Sequence, residues 1–401
     1  MVSDAALKLA EAGHALVLAG RYALAAQAVD LALAVDAAQP NAHTLKAHLL
    51  ERGGDFAAAL EHWRAAARLA PGPAGNRVNL ALALLGSGAL AEGFALQEAR
   101  LENPEWSSLA SSGSFAGLRH RVPRPGDALV GRLLAFTEQG LGDMLWAARF
   151  LPALAARADS FDLACPASLR PLFAGRAPGA LLGPPAEQAG AKLNLAALAG
   201  QYDAMLPMMS LPHVLGDWSA PARWLAADAG QVAAWRARYA AASPGRPIVG
   251  VVWRANPASA SGAARSFPPA MLAGIARWGV VNLQGGNPDG REALAAALPG
   301  AFDPLADAEP ALDDYAAMIA ATDLLITADT MAAHLAGALG HPTWVAVPAI
   351  ANFYWGQTGA SSPWYPGMRL FRQAAGENWP AVGERIVAAL RRFQTGSVSS
   401  A

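Results

Sequence analysis

The chain has a single cysteine, Cys165. One thiol excludes an intramolecular disulfide and any metal site built from several cysteines. Because Cys165 follows the strand-like stretch "FDLA", we expect it to be a buried apolar residue.

The chain also lacks an excess of charge of either sign. It carries 30 basic and 31 acidic residues, a net charge of −1. Proteins that mainly bind a phosphate backbone usually have a basic surplus, so that class is disfavoured, although a local basic groove stays open. No run approaches about 18 uncharged apolar residues, and "MVSDAALKLAEAGH" lacks a basic region followed by an apolar core. We therefore expect a cytosolic protein with no membrane span.

Glycines recur at a fixed spacing near the start of the chain. Gly20, Gly54 and Gly88 are 34 residues apart twice over. Three further columns keep the same frame: Tyr22, Phe56 and Leu90; Ala25, Ala59 and Gly93; Ala26, Leu60 and Phe94. A 34-residue period with glycine at the turn and an aromatic residue two positions later resembles the tetratricopeptide repeat. An alanine-rich bundle with accidental periodicity is the alternative. The resemblance implies a short helical solenoid that binds a protein partner.

The rest of the chain alternates short apolar runs with helical patterns. In the second half, strands are predicted near 248–253, 279–283, 324–327 and 344–347, and helices near 269–277, 290–297, 312–321 and 331–339. Alternating strands and helices imply parallel sheets covered by helices. We therefore predict an α + α/β protein, a helical solenoid followed by two Rossmann-like lobes. The predicted domains are repeats over 1–101, a linker over 102–127, lobes over 128–243 and 244–392, and a flexible tail over 393–401.

One strand-to-helix corner carries an unusual set of polar residues. In "ITADTMAAHLAGALGHPTWVAV", Asp329 and Thr330 separate a strand from a helical pattern that includes Met331 and His334. Unpaired N–H groups and the helix dipole favour an anion at such a helix start. Thr330 can cap the helix or donate to a phosphate, and His334 lies one turn further on the same face. The alternative is an ordinary Asp/Thr cap with a packed histidine.

Several motifs resemble the heptosyltransferase-related GT-B glycosyltransferases. "DLLITADTMAAHLAGALGHPTWVAV" looks like the nucleotide-sugar signature of that family, and "FTEQGLGDMLWAARFLPAL" looks like its acceptor-lobe loop. "VGVVWRANP" and "SPWYPGMRLFRQ" match the version fused to tetratricopeptide repeats. The resemblance covers nearly the whole chain and implies a GT-B fold and a nucleotide-sugar donor.

The resemblance also implies roles for individual residues. Asp143 matches the family's proposed general base, with helix capping as its alternative, and Glu138 either orients the loop or acts as the base. The acceptor loop comprises Gln139, Gly140 and Gly142. The implied donor-binding residues are Trp253, Arg254, Asn256, Gln284, Asp329, Thr330, Met331 and His334.

Other residues near these motifs have two interpretations each. After Asn256 the family's longer basic stretch is replaced by "ASASGAARSF", which leaves Arg265 and Ser266 as its remnant. Arg254 and Arg265 either meet the diphosphate or are solvated surface residues. Gly285 and Gly286 either contact the nucleotide or form an ordinary turn. Asp313 and Asp314 are more consistent with charges at a helix start. Trp355, Trp364 and Tyr365 either line a cleft or pack beneath a long loop.

The function that these motifs predict is a metal-independent, inverting glycosyltransferase with a nucleotide-sugar donor. Spacings typical of metal-ligand clusters are missing. The repeats favour a protein acceptor, of which an abundant surface protein such as flagellin is one example by analogy. Two alternatives stay open: a non-enzymatic adaptor with a relic GT-B body, and a sugar-nucleotide epimerase.

Overall fold

The structure is a computed structural model that describes residues 4–103, 117–183, 192, 194–259, 261–275, 277–285, 288–306 and 309–393. The chain divides into two compact units. A helical unit consists of the chain up to Asn103 together with Ala349–Thr358 and Ala374–Gly376. The remainder forms an α/β unit. Half of the predicted linker and nearly all of the predicted tail fall outside the described residues.

The helical unit is built from consecutive pairs of helices. They are α1 (Asp4–Leu18) with α2 (Tyr22–Val35), α3 (Pro40–Gly53) with α4 (Phe56–Leu69), and α5 (Ala74–Ser87) with α6 (Leu90–Gln97), followed by a 3-10 turn over Glu98–Glu102. Gln39 and Asp55 cap α3 and α4 by accepting backbone N–H bonds with their side chains.

The repeated glycines lie at the turn inside each pair. Gly20, Gly54 and Gly88 have φ values of 72°, 83° and 90°, a left-handed conformation that glycine adopts without steric cost. Within the third pair, a Cβ at Gly93 would stand 2.7 Å from the Leu85 side chain. The 34-residue spacing therefore marks a helix–turn–helix unit whose helices approach closely.

The α/β unit begins with a parallel sheet, the first lobe. Its strands are β1 (Leu133–Phe136), β2 (Phe161–Ala164), β3 (Leu181–Leu182) and β4 (Ala204–Pro207), in the order β3-β2-β1-β4. The helices in and after this lobe are α7 (Leu141–Ala147), α8 (Leu151–Ala155), α9 (Arg170–Phe173), α10 (Leu195–Ala199), α11 (Leu211–Leu215) and α12 (Ala229–Ala242). Cys165 follows β2 and is buried, as predicted.

A second parallel sheet forms the second lobe. Its strands are β5 (Ile248–Val252), β6 (Gly279–Asn282), β7 (Leu324–Ala328), β8 (Thr343–Val347) and β9 (Met368–Arg372), in the order β6-β5-β7-β8-β9. Its helices are α13 (Gly262–Arg265), α14 (Pro288–Ala297), α15 (Leu312–Ala320), α16 (Met331–Leu339) and α17 (Trp379–Leu390). Strands β5, β7 and β8 are buried along their whole length, as expected for continuous apolar runs in a covered parallel sheet.

The predicted class of helices followed by two parallel sheets is confirmed, with one local error. The helix expected over 269–277 is wrong, because the described residues of this stretch form only a 3-10 turn over Pro269–Leu272. Pro268 and Pro269 restrict the start of this segment. Gly274 lies so close to α17 that a Cβ would stand 2.7 Å from the Val387 side chain. Strand β9 and helix α17 were not predicted.

Within the part of the chain that the structure describes, no helix has the length and apolar character needed to cross a membrane.

Candidate functional site

The glycine loop of the first lobe contacts the polar corner of the second. A Cβ at Gly142 would stand 2.8 Å from His334 Cδ2 and 3.5 Å from Met331 Cα. A real Cβ does not tolerate the shorter distance, so the close packing of α7 against α16 requires glycine at this position. The two most distinctive motifs of the sequence, about 190 residues apart, therefore meet at one place.

Helix α16 starts without a cap from its N-cap side chain. Thr330 occupies the N-cap position with φ −140° and ψ 175°, but its side chain makes no capping hydrogen bond. Its hydroxyl lies instead 3.3 Å from the Thr327 hydroxyl at the end of β7. The cap, one of the two roles considered for Thr330, is not formed, so the N–H groups of the first turn receive no bond from this side chain.

Arg265 is hydrogen-bonded to this same strand-to-helix corner. Its guanidinium donates to the backbone carbonyl of Asp329 at 2.9 Å and to the Ser259 hydroxyl at 3.1 Å. It also lies 4.0 Å from the buried Asp329 carboxylate. Arg265 is therefore held in place and adds a positive charge beside the start of α16. Arg265 is therefore not a solvated surface residue, which was the alternative interpretation.

His334 is buried and neutral. Its side chain is 3% exposed, and its Nδ1 lies 3.0 Å from the Tyr365 hydroxyl. Burial, aided by the positive charges of Arg149 and Arg265, lowers the pKa of His334 to about 3. At neutral pH the ring acts as a hydrogen-bonding group without a charge.

Arg149 is a site residue that the sequence analysis did not single out. It is 1% exposed, and it donates to the Trp146 carbonyl at 3.0 Å and to the Trp364 carbonyl at 2.9 Å. Its guanidinium also lies 4.6 Å from the centre of the Tyr365 ring. The available signal was one arginine inside the otherwise apolar run "LWAARFLPAL", where a buried charge needs specific partners.

Asp143 lies in the first turn of α7 and is half-buried. Its Oδ2 accepts the backbone N–H of Gly140 at 3.0 Å, so it does have the capping role considered as the alternative. Its negative charge also helps raise the pKa of Tyr365, after the larger effect of burial.

Glu138 lies deeper than Asp143. It is fully buried, and its Oε1 accepts the Met209 backbone N–H at 2.8 Å, just after β4. This bond joins the loop to the neighbouring strand end, which fits an orienting role. Gln139 is half-buried and Gly140 is exposed at the N-cap of α7.

Gln284 ties the ends of β5 and β6 together. Its Oε1 accepts the backbone N–H groups of Arg254 at 2.8 Å and of Trp253 at 3.2 Å. The Trp253 side chain packs in the core of the second lobe. The half-buried Arg254 guanidinium makes no hydrogen bond or ion pair with any residue that the structure describes. Gln284 thus positions a cation at the strand end.

Two further candidates beside β5 shape the local turn. The Asn256 side chain accepts the Ala258 backbone N–H at 3.0 Å, and Asn256 itself is exposed. The Ser266 hydroxyl accepts the Ala255 N–H at 3.0 Å and donates to the Gly262 carbonyl at 2.7 Å.

The remaining candidates have mainly structural contacts. Asp313 and Asp314 lie in the first turn of α15, and Asp314 accepts the Trp235 indole N–H at 2.6 Å. Trp364 is buried and packs edge-on against Trp146, with ring centres 5.0 Å apart. Trp355 is fully buried and belongs to the helical unit. Gly286 is outside the described residues.

Comparison with known proteins gives one relative by sequence and several by fold. No protein-family model matches the chain. It is 31% identical over 376 residues to Protein FlbA of Caulobacter vibrioides, a match that covers 85% of this chain. The chain spans 59% of the length of that relative.

Among solved structures, two glycosyltransferases are similar to the chain. The E. coli ADP-heptose LPS heptosyltransferase II has a TM-score of 0.47 at 19% identity, covering 65% of this chain and 98% of the other. The family 9 glycosyl transferase of Veillonella parvula has a TM-score of 0.46 at 12% identity, covering 67% of this chain and 98% of the other.

Proposed function

We propose that the protein is a glycosyltransferase that moves a sugar from a nucleotide-activated donor to an acceptor hydroxyl. The observation that carries this proposal is the contact between Gly142 and His334. This contact packs α7, which carries the Asp143 carboxylate, against α16, whose N-cap Thr330 makes no capping bond with its side chain. An acid–base group beside an anion site is the combination that sugar transfer from a nucleoside diphosphate needs.

The donor diphosphate is proposed to bind at the N-terminus of α16. The N–H groups and the helix dipole favour negative charge there. Arg265 is fixed beside this end and Arg254 lies at the end of β5, so two cations offset the charge that develops on the leaving group. Neutral His334 contributes a hydrogen bond. A helix dipole and arginines supply this stabilisation in a metal-independent reaction.

Asp143 is proposed as the general base that takes the proton of the acceptor hydroxyl. The bond from Gly140 fixes its carboxylate at the start of α7. Direct displacement of the diphosphate by the activated hydroxyl inverts the configuration at the sugar carbon. Glu138, fully buried and bonded to Met209, is proposed to orient the loop, although it is also the fallback base.

The acceptor is proposed to be a protein recruited by the helical unit, acting as a tetratricopeptide-like solenoid. The three glycine turns with matching left-handed φ values support a repeated helix pair. Stacked pairs of this kind present an extended surface to peptides and proteins. A flagellin-like surface protein is one example of such an acceptor.

A second candidate is a non-catalytic adaptor whose α/β unit has lost activity. One observation favours it: Asp143 already serves as the cap of its own helix. The two candidates make different predictions for turnover.

A panel of nucleoside diphosphates and nucleotide sugars separates the candidates. Calorimetric binding should identify one nucleoside diphosphate, and the matching nucleotide sugar should be consumed when an acceptor is present. Binding without any consumption would support the adaptor. Conversion of the donor sugar without an acceptor would support an epimerase, and no binding at all would contradict the donor site.

A further inference from the structure

Helix α2 is apolar on two faces, and only one of them is packed. The packed face consists of Ala25, Val29 and Ala32, which are buried. A Cβ at Gly13 of α1 would stand 3.2 Å from the Val29 side chain, so α1 covers this face closely. The other face carries three large apolar side chains that are 39%, 58% and 53% exposed: Leu24, Leu31 and Val35.

These exposed side chains are a special feature of the first helix pair. Eight large hydrophobic side chains are exposed among the described residues, and three of them lie on this face of α2. The repeat does not require them, because Ala58 and Ala65 occupy the positions of Leu24 and Leu31 one repeat of 34 residues later. A second apolar face in contact with water is typical of an interaction site.

The exposed residues follow the spacing of a coiled-coil helix. Together with half-buried Ala28 they form a stripe with steps of four, three and four residues, here called the α2 seam: Leu24, Ala28, Leu31 and Val35. This is the spacing of the apolar positions through which one helix packs against another. The seam is symmetric about its midpoint, so in two antiparallel copies of α2 Leu24 faces Val35 and Ala28 faces Leu31. A small side chain then lies opposite a large one at the centre.

The charges at the two ends of α2 also complement an antiparallel pair. Arg21 is exposed directly before the helix, and half-buried Asp36 follows it directly. In the antiparallel pair, Arg21 of one copy comes within two residues of Asp36 of the other, about 3 Å along the helix axis. A parallel pair would place like charges together at both ends. Asp30, the one charge inside α2, lies off the seam and accepts a bond from Lys46 at 2.6 Å.

We propose that the α2 seam binds the α2 seam of a second copy of this chain in an antiparallel, two-fold symmetric pair. One helix face is smaller than the about 800 Å² per partner of a standard interface, so the pair is weak and reversible. If the proposed function holds, pairing offers two helical units to one acceptor, which strengthens recruitment by avidity. The pairing itself does not depend on that function.

Sedimentation velocity of the full-length protein over a concentration series tests the pairing. We expect a reversible monomer–dimer equilibrium in the wild type. Leu31→Glu places a charge in the middle of the seam and should weaken the dimer at least about tenfold. Leu69→Glu is the matched control, because Leu69 is an exposed leucine at the end of α4, outside the seam. A wild type that stays monomeric, or equal effects of the two variants, would overturn the proposal.

A mixing experiment tests the antiparallel arrangement. Arg21→Glu alone brings two acidic groups together at each end of the pair, and Asp36→Arg alone brings two basic groups together. A mixed pair of the two variants again has one acid and one base at each end. We therefore expect each variant alone to dimerise less than the wild type and their equimolar mixture to dimerise more than either. A mixture that associates no better than the separate variants would overturn the antiparallel pair.

Asp36→Ala controls for a local effect of the second variant. The Asp36 carboxylate accepts the Ala38 backbone N–H at 2.9 Å, and both substitutions remove this bond. Asp36→Ala should dimerise better than Asp36→Arg, because it adds no like charge. Equal loss of the dimer in both variants would contradict the charge contact.

Sedimentation also separates this inference from the proposed function. If no nucleoside diphosphate binds the wild type, the proposed function fails, while the sedimentation series still decides the pairing. If the wild type transfers sugar but stays monomeric at every concentration, the pairing fails and the proposed function stands.

Discussion

Gly142 and His334 come from different lobes and lie so close that a single added methyl group would stand 2.8 Å from the histidine ring. The contact joins the proposed acceptor loop to the proposed donor helix. Its tightness can be tested by adding that methyl group.

Gly142→Ala should disturb both stability and nucleotide binding. The added Cβ forces either α7 or the His334 ring to move, and overpacking of this kind costs about 1–3 kcal/mol. Thermal unfolding and calorimetric nucleotide titration measure the two effects. Gly200→Ala is the control, because Gly200 has a helical backbone in the same lobe and open space around it. Equal behaviour of the two variants would count against the packed contact.

Stability should fall as the pH drops from 7 to 5.5. Burial lowers the pKa of His334 to about 3 and that of His341 to about 4, from the ordinary 6.5. As the pH falls, the unfolded chain therefore takes up protons before the folded protein does. The stability that the two neutral histidines contribute is complete above pH 6.5 and is lost as the pH falls. Each histidine lowers the free energy of unfolding by roughly 1 kcal/mol per pH unit below 6.5. Calorimetry should show that the free energy of unfolding of His341→Gln depends less steeply on pH than that of the wild type. An unchanged slope would contradict the lowered pKa of His341.

Arg254 and Arg265 should behave differently when truncated. Arg265→Ala removes a hydrogen bond to the Asp329 carbonyl, so both stability and nucleotide affinity should fall. Arg254→Ala removes a guanidinium without a partner among the described residues, so affinity should fall about tenfold and the melting temperature should stay the same. A loss of stability in Arg254→Ala with normal affinity would reverse its proposed role.

The helical unit should be tested by point changes instead of by removal. Trp355 is fully buried in that unit, and neighbouring Gln357 bonds to the Ala83 carbonyl at 3.1 Å. A chain starting near Pro104 would expose this loop and aggregate. On α2, Leu24 and Leu31 are 39% and 58% exposed on one helix face. Serine at both positions should keep nucleotide binding and slow transfer to a protein acceptor, as followed by mass spectrometry. Unchanged transfer would argue against recruitment through this face.

Local patterns predicted the local structure well. The 34-residue glycine spacing predicted the helix pairs, and β-branched apolar runs predicted β5, β7 and β8 to within a residue or two. Contacts between distant segments were not predictable, because they depend on how separate elements pack. Arg149 bonds to a carbonyl 215 residues away, and residues 349–358 belong to the helical unit although a strand of the second lobe precedes them. The motifs indicated both halves of the candidate site but not the buried Arg149 that bonds to carbonyls of both lobes, and the residue roles remain predictions.

The most direct test of the account is the turnover of a nucleotide sugar by the wild type and by Asp143→Asn. Asparagine keeps the size of the side chain and an oxygen that can accept the Gly140 N–H, but it removes the base. Asp143→Asn should bind the nucleoside diphosphate as tightly as the wild type, while release of nucleoside diphosphate during transfer falls by about 10²–10⁴-fold. Asp143→Ala controls for the cap and should also lose about 1 kcal/mol of stability. Equal turnover by the wild type and Asp143→Asn would contradict the role of Asp143 and move the search for the base to Glu138.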